Sequence, residues 1–239
     1  MKRRLRAAAA VAMLLGEDVG RTEKFVAPAV LYAGVLAVLF GGAPGPLPEP
    51  WAASALLLYP VGAWLAHALA ESEDEDARTV TLAAAGGPWP LAAGVLLAAT
   101  AGVALLGLLA VVWGVVAAWG TATTGSLFDG LLAHLACGIT GAAVGSVFSR
   151  PVFRSEGVAL MGALVVLVVT GTQSWLPPVG TAAAALGSGR PGVGPLGDLV
   201  VAVLVALVAV TVVARVEQGG LRGAGQRLGG LVERLRPRS

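Results

Sequence analysis

Six apolar runs, each close to the length needed to cross a bilayer, decide what this chain can become. A hydrocarbon core about 30 Å thick takes roughly 20 apolar residues of helix. The runs at 25–41, 51–70, 88–119, 127–148, 157–176 and 199–214 meet that need, the last with help from Leu196 and Val216. With 56% hydrophobic residues, 13% charged residues and a mean hydropathy of +0.82, the composition excludes a soluble domain. The expectation is an all-α polytopic membrane protein with one transmembrane domain over 1–239. An interfacial helix occupies 1–20, a six-span bundle 25–214 and a basic cytoplasmic tail 217–239.

Charge orders the spans. Lys2, Arg3, Arg4, Arg6, Arg21 and Lys24 precede the first run, and Arg78 lies between the second and third. Arg150 and Arg154 lie between the fourth and fifth, and Arg215, Arg222, Arg227, Arg234, Arg236 and Arg238 follow the sixth. Fifteen of the 16 basic residues therefore share one side, and only Arg190 falls on the other. Positive charge stays cytoplasmic, so a multi-pass protein of the cell inner membrane with both termini in the cytoplasm is expected. Residues 1–16 also resemble a signal peptide, with a basic head and the apolar stretch AAAAVAMLLG. If that stretch crossed, 11 of the 16 basic residues would lie outside. The preferred reading is an amphipathic helix on the cytoplasmic leaflet, its basic head near lipid phosphates.

The third run carries no charge from Pro88 to Trp119. As one helix it is about 48 Å long, so it tilts or begins at the interface near Pro88-Trp89-Pro90. Two spans there would move Arg150 and Arg154 outside, so one long span is expected.

Several chemistries are excluded. A phosphate-binding loop needs Lys after Gly, and the only lysines follow Met1 and Glu23. This chain cannot energise ATP-driven transport alone. The serine, Glu–Arg and spaced-aspartate signatures of intramembrane enzymes are missing. His67 and His134 fall on different spans, so no zinc motif forms, and no catalytic or metal-ligating residue is expected. Cys137 is alone, so no intrachain disulfide forms. No nucleic-acid partner is expected. Fourteen Arg against two Lys, with abundant Ala, Gly and Val, is the composition of a GC-rich bacterial genome.

Glu71–Leu82 is the most unusual segment. Glu71, Glu73, Asp74, Glu75 and Asp76 precede Arg78, Thr79 and Leu82, a pattern that suits a short helix with acid at its positive end. It is either a docking element for a soluble partner or a solvated run that keeps the loop out of lipid. The second unusual segment is 175–197. Trp175, Pro177 and Pro178 break the fifth span, and Ala182–Leu186 is apolar yet too short to cross. A re-entrant or interfacial outer hairpin is expected there, against the plainer reading of a flexible loop.

In the fourth span Gly138, Gly141 and Gly145 offer a face for close helix packing, either within the chain or between chains. Asp129 and His134 lie near its outer end, five residues apart and off a common face. They read as a helix-start residue and a neighbour more readily than as a proton relay. His67 reads as interfacial. In the tail, Leu221, Leu228, Val232 and Leu235 form an apolar stripe among arginines, an amphipathic helix weakened by its glycines.

The order of these features resembles the type-2 membrane subunits of ATP-binding-cassette (ABC) exporters. Residues 1–20 are similar to the family's cytoplasmic amphipathic helix. Glu71–Gly87 is similar to its coupling helix, with Glu73–Asp76, Thr79–Leu82 and Gly86-Gly87-Pro88 in the family's order. Trp175–Gly197 is similar to its outer hairpin. The resemblance is one of layout over nearly the whole chain, and this chain differs in having short outer loops. It implies a dimer of permease subunits, either two copies of this chain or one copy with a homologue. A separate cytoplasmic ATPase dimer binds ATP and Mg, and membrane lipids surround the spans. It further implies docking through Glu71–Leu82, with Arg150 and Arg154 of the second loop as further contacts. An apolar path would suit a drug, lipid or peptide. The other readings are a non-transporting scaffold or regulatory subunit that recruits a cytoplasmic partner, and an intramembrane enzyme.

Overall fold

A computed structural model describes the backbone of residues 2–21, 26–42, 44–153, 155–188 and 194–235, and the side chains of that set apart from 18–21 and 222–235. Nine helices and no strand occur among the described residues: α1 (Lys2–Arg21), α2 (Val26–Phe40), α3 (Glu49–Ala70), α4 (Glu75–Ala85), α5 (Pro88–Ala117), α6 (Thr124–Val147), α7 (Glu156–Gly171), α8 (Val179–Gly187) and α9 (Gly194–Leu235). The expected 88–119 run is one unbroken helix that starts on Pro88, where a missing N–H costs nothing.

Among the described residues, four helices are long and apolar enough to cross a membrane: α3, α5, α6 and the Gly194–Leu221 part of α9. The chain is a helical membrane protein. The other two expected spans, α2 and α7, are apolar but have 15 and 16 residues. At 1.5 Å per residue they reach about 22 and 24 Å, short of a 30 Å core. Gly41 and Gly42 follow the end of α2, and Gly171 closes α7.

The heart of the bundle is α3 against α6, the most extensive helix pair, with α5 packed on both and α9 on α6. Helices in lipid gain little from hydrophobic burial against one another, so close van der Waals fit decides which faces meet. Glycine supplies that fit here. A Cβ at Gly141 would overlap the Tyr59 carbonyl, and one at Gly145 would overlap the Ala63 carbonyl. Gly62 on α3 returns the contact against the Gly138 carbonyl. The small face of α6 is thus occupied within the chain, by the backbone of α3. Above this seam the Trp51 indole, fully buried, fills a notch made by Gly114 of α5 and Gly130 of α6.

Most polar groups inside the bundle are hydrogen-bonded, some across helices, while the Trp51 Nε1 has no partner among the described residues. Tyr32 Oη donates to the Ser54 carbonyl at 2.9 Å, joining α2 to α3. His134 is wholly buried, with Nδ1 donating to the Gly130 carbonyl at 2.6 Å and Nε2 2.9 Å from Ser54 Oγ. It is a core histidine midway along α6, not a residue of the helix's outer end. Asp129 is buried too and makes no bond to it. Thr123 and Ser126 form a reciprocal capping box that starts α6.

The N-terminal helix lays Ala8, Val11 and Leu15, all buried, along α5, where Gly94 leaves room for Val11. The expected amphipathic helix therefore has its apolar stripe seated on protein. At the other end, α9 continues as helix past the last apolar run to Leu235. The expected stripe of Leu228, Val232 and Leu235 falls on side chains outside the described set.

Because the α3–α6 seam is backbone on backbone, Gly145→Ala should cost about 1–3 kcal/mol through overpacking. Gly34→Ala, where nothing lies within 4 Å, should be neutral. Denaturation of both variants in mixed micelles checks the contrast.

Candidate functional site

The acidic segment after α3 builds an ordered helix. Asp74 caps α4, its carboxylate accepting from the Ala77 N–H at 2.7 Å. Glu75 and Asp76 sit in the first turn, where the helix dipole favours negative charge. Gly86 ends the helix at φ 78°, a left-handed conformation that suits glycine, and its N–H bonds back to the Ala83 carbonyl. Leu82 is the buried anchor that seats α4 on the bundle. Thr81 Oγ1 donates to Glu73 at 2.6 Å and folds the acidic run back along the helix.

Two ion pairs tie this end of the molecule together. Arg78 reaches 139 residues along the chain to Glu217 of α9, with Nη2 and Nε donating to the two carboxylate oxygens at 2.7 and 3.2 Å. Both side chains are less than one-fifth exposed, and a two-pronged guanidinium–carboxylate bond of this kind is geometrically specific. Glu71, at the end of α3, accepts from the Arg150 backbone N–H at 2.7 Å and from Arg150 Nε at 2.5 Å. It closes the first loop onto the second. The expected docking charges therefore divide three ways. Glu71, Arg78 and Arg150 hold the chain to itself, Asp74 and Glu73 shape the helix, and Glu75 and Asp76 face outward. Arg154 lies outside the described residues.

What α4 turns outward keeps three of the expected residues, Glu75, Asp76 and Thr79, and adds Val80 and Ala83. Asp76, Thr79, Val80 and Ala83 share one face at helical spacing, and all are exposed, Val80 at 70%. Glu75 lies beside them. Thr79 turns its hydroxyl to the Glu75 carbonyl at 2.9 Å, leaving its methyl group outward.

At the far end of α3 and α6, the segment after α7 forms α8, nine residues long. Pro178 is its cap residue, Pro177 is exposed, and Trp175 is 70% exposed with Nε1 donating to the Gln173 side chain. Val179, Ala182 and Leu186 are buried against α3, α6 and α9. The expected apolar hairpin is thus a short helix packed into the bundle.

Thr181 of α8 donates to Asp198 Oδ1 at 2.6 Å. Asp198 is buried, and its Oδ2 has no partner among the described residues. Sequence reasoning passed over this residue, although it is the sole acid between 190 and 216, at the head of the last apolar run. An acid in that setting is the signal that marks functional membrane residues. Behind α8 lies Cys137, fully buried, its Sγ facing the Val179 carbonyl at 4.0 Å.

No group of three or more metal-ligating side chains comes together among the described residues. Comparison with known proteins finds no matching family model, no matching curated protein and no matching solved structure.

Arg78→Ala should destabilise the fold by about 1–3 kcal/mol, because it leaves the largely buried Glu217 carboxylate unpaired. A double-mutant cycle with Glu217→Ala should return a coupling of about 1–2 kcal/mol. Thr181→Val should free α8 and raise the rate at which Cys137 reacts with a small methanethiosulfonate reagent, while Thr181→Ser leaves it unchanged. Cys137 is the chain's single thiol, so the labelling needs no engineered background.

Proposed function

We propose that the chain is the membrane-spanning permease subunit of an ABC exporter. It would cross the cell inner membrane six times with both termini cytoplasmic. It would move a hydrophobic or amphipathic substrate outward by alternating access, powered by a separate ATPase dimer that binds ATP and Mg. In this reading α2 and α7 serve as spans with the bilayer thinned around them or with their flanks drawn in. A second copy of the chain, or a homologous permease, completes the path.

One observation carries the reading: α4 is a capped, anchored helix that offers an acidic and apolar face outward while its arginine is tied to α9. A solvated charge run needs neither a cap, nor a buried anchor, nor a link to a bundle helix. A helix that must receive a push and pass it on needs all three. The Arg78–Glu217 pair joins α4 to α9, and the Glu71–Arg150 pair joins the first loop to the second. Force applied to α4 reaches both.

The docking face is accordingly assigned to Glu75, Asp76, Thr79, Val80 and Ala83. Purification from native membranes in mild detergent should bring down an ATPase with a nucleotide-binding loop. The triple variant Glu75→Lys, Asp76→Lys, Val80→Asp should weaken that association at least about tenfold, or about 1.4 kcal/mol. The variant's own size-exclusion profile should stay unchanged. Arg78→Ala should keep the partner but uncouple ATP hydrolysis from transport. A chain that retains no ATPase would overturn the exporter reading and leave the recruiting scaffold.

A further inference from the structure

The helix α7 stands apart from the bundle. Ala159 is its only buried residue, and its packing on α3 and α6 is sparse. Two adjoining cavities occupy the gap. The larger, about 380 Å³, is walled by Pro60, Trp64, Phe148, Leu160, Leu164 and Leu167 and is almost wholly apolar. That volume lies within the roughly 300–1,000 Å³ of small-molecule sites. The smaller, about 240 Å³, is polar and is lined by Glu71, Ser149, Arg150, Phe153 and Glu156. His67 lines both, its Nδ1 held 3.0 Å from the Phe148 carbonyl.

The two compartments differ in what they accept. Glu71 has both carboxylate oxygens engaged by Arg150, so that pair adds no net charge. Glu156 contributes a further carboxylate, paired with no described group. It outweighs the roughly half positive charge of the α7 N-terminus beside it. Phe148 and Phe153 stack with ring centroids 5.0 Å apart, one in the wall of each compartment. A carboxylate beside an aromatic face is how proteins hold ammonium groups. The large apolar side chains Trp64, Leu160 and Leu164, which are 44%, 65% and 50% exposed, form the open flank of the larger cavity. A molecule dissolved in the bilayer could enter there.

We propose that this gap binds an amphipathic molecule with an ammonium head. Its apolar body lies between α3, α6 and α7, and its cation sits against Phe153 and Glu156. The site stands on its own geometry; only the further step, that its occupant is the transported substrate, rests on the exporter reading.

The test is photolabelling of the full chain in maltoside micelles. The probes are a ten-carbon alkyltrimethylammonium with a diazirine at its tail, and the alkyl sulfate of the same length. The cation should label peptides carrying Trp64 or Leu164 saturably, at least about tenfold more than the sulfate. Glu156→Gln and Phe153→Leu should each lower that labelling about fivefold or more. Ala163→Trp, which fills the larger cavity, should abolish it. Competition by phosphatidylethanolamine would identify a bilayer lipid as the source of the ammonium head, and competition by single-chain amines alone would identify a cargo. Equal labelling by both probes would overturn the proposal, as would labelling indifferent to Glu156 and Ala163. None of these outcomes depends on the ATPase. A chain that labels as described but recruits no ATPase keeps the site and loses the exporter reading.

Discussion

The contact between the backbones of α3 and α6 is the constraint on which the rest of this molecule depends. In lipid, two apolar helices have no hydrophobic reason to prefer each other over acyl chains. Glycines at 141 and 145 remove the side chains that would hold the axes apart, and the Tyr59 and Ala63 carbonyls of α3 fill the space, while Gly138 makes room for Val103 of α5. Once that seam closes, its two ends are fixed. One end presents Glu71 to the loop that follows α6; the other presents the surface on which α8 lies.

Polar contacts then clasp the bundle at both ends. At the α4 end, two guanidinium–carboxylate pairs join segments 139 and 79 residues apart. At the α8 end, the Thr181–Asp198 bond holds a short helix over Cys137. Between them the interior is apolar or locally hydrogen-bonded, so little polar chemistry is available in mid-bundle. The gap beside α7 is the exception, and it lies where packing is thinnest.

Much of this architecture was legible in the residues. Apolar runs with few charges marked every long helix, since lipid leaves a backbone no other way to satisfy its hydrogen bonds. The acidic run ahead of Arg78 and Thr79 marked α4 through the helix dipole, which is local by nature; its Asp74 and Gly86 caps came from the structure. Pairing over long distances was not legible. Nothing near Arg78 names Glu217, and nothing near Glu71 names Arg150, because tertiary packing chooses those partners. The sequence likewise did not separate the charges of the acidic segment: Glu71 and Arg78 pair within the chain, whereas Glu75 and Asp76 face outward. The burial of His134 was not legible either, since the Ser54 hydroxyl beside it is brought there by the α3–α6 seam. Asp198 was visible in principle, as a single acid heading an apolar run, but its role needed Thr181 across the turn.

The central claim is that α4 faces the cytoplasm, because every functional step proposed for the chain passes through it. Single cysteines introduced in a Cys137→Ala background, at Asp76 in α4 and at Trp119 beyond the end of α5, test it most directly. Intact cells are treated with a membrane-impermeant maleimide. The account predicts that Trp119→Cys is labelled in intact cells and Asp76→Cys only after lysis. Labelling of Asp76→Cys in intact cells would contradict it.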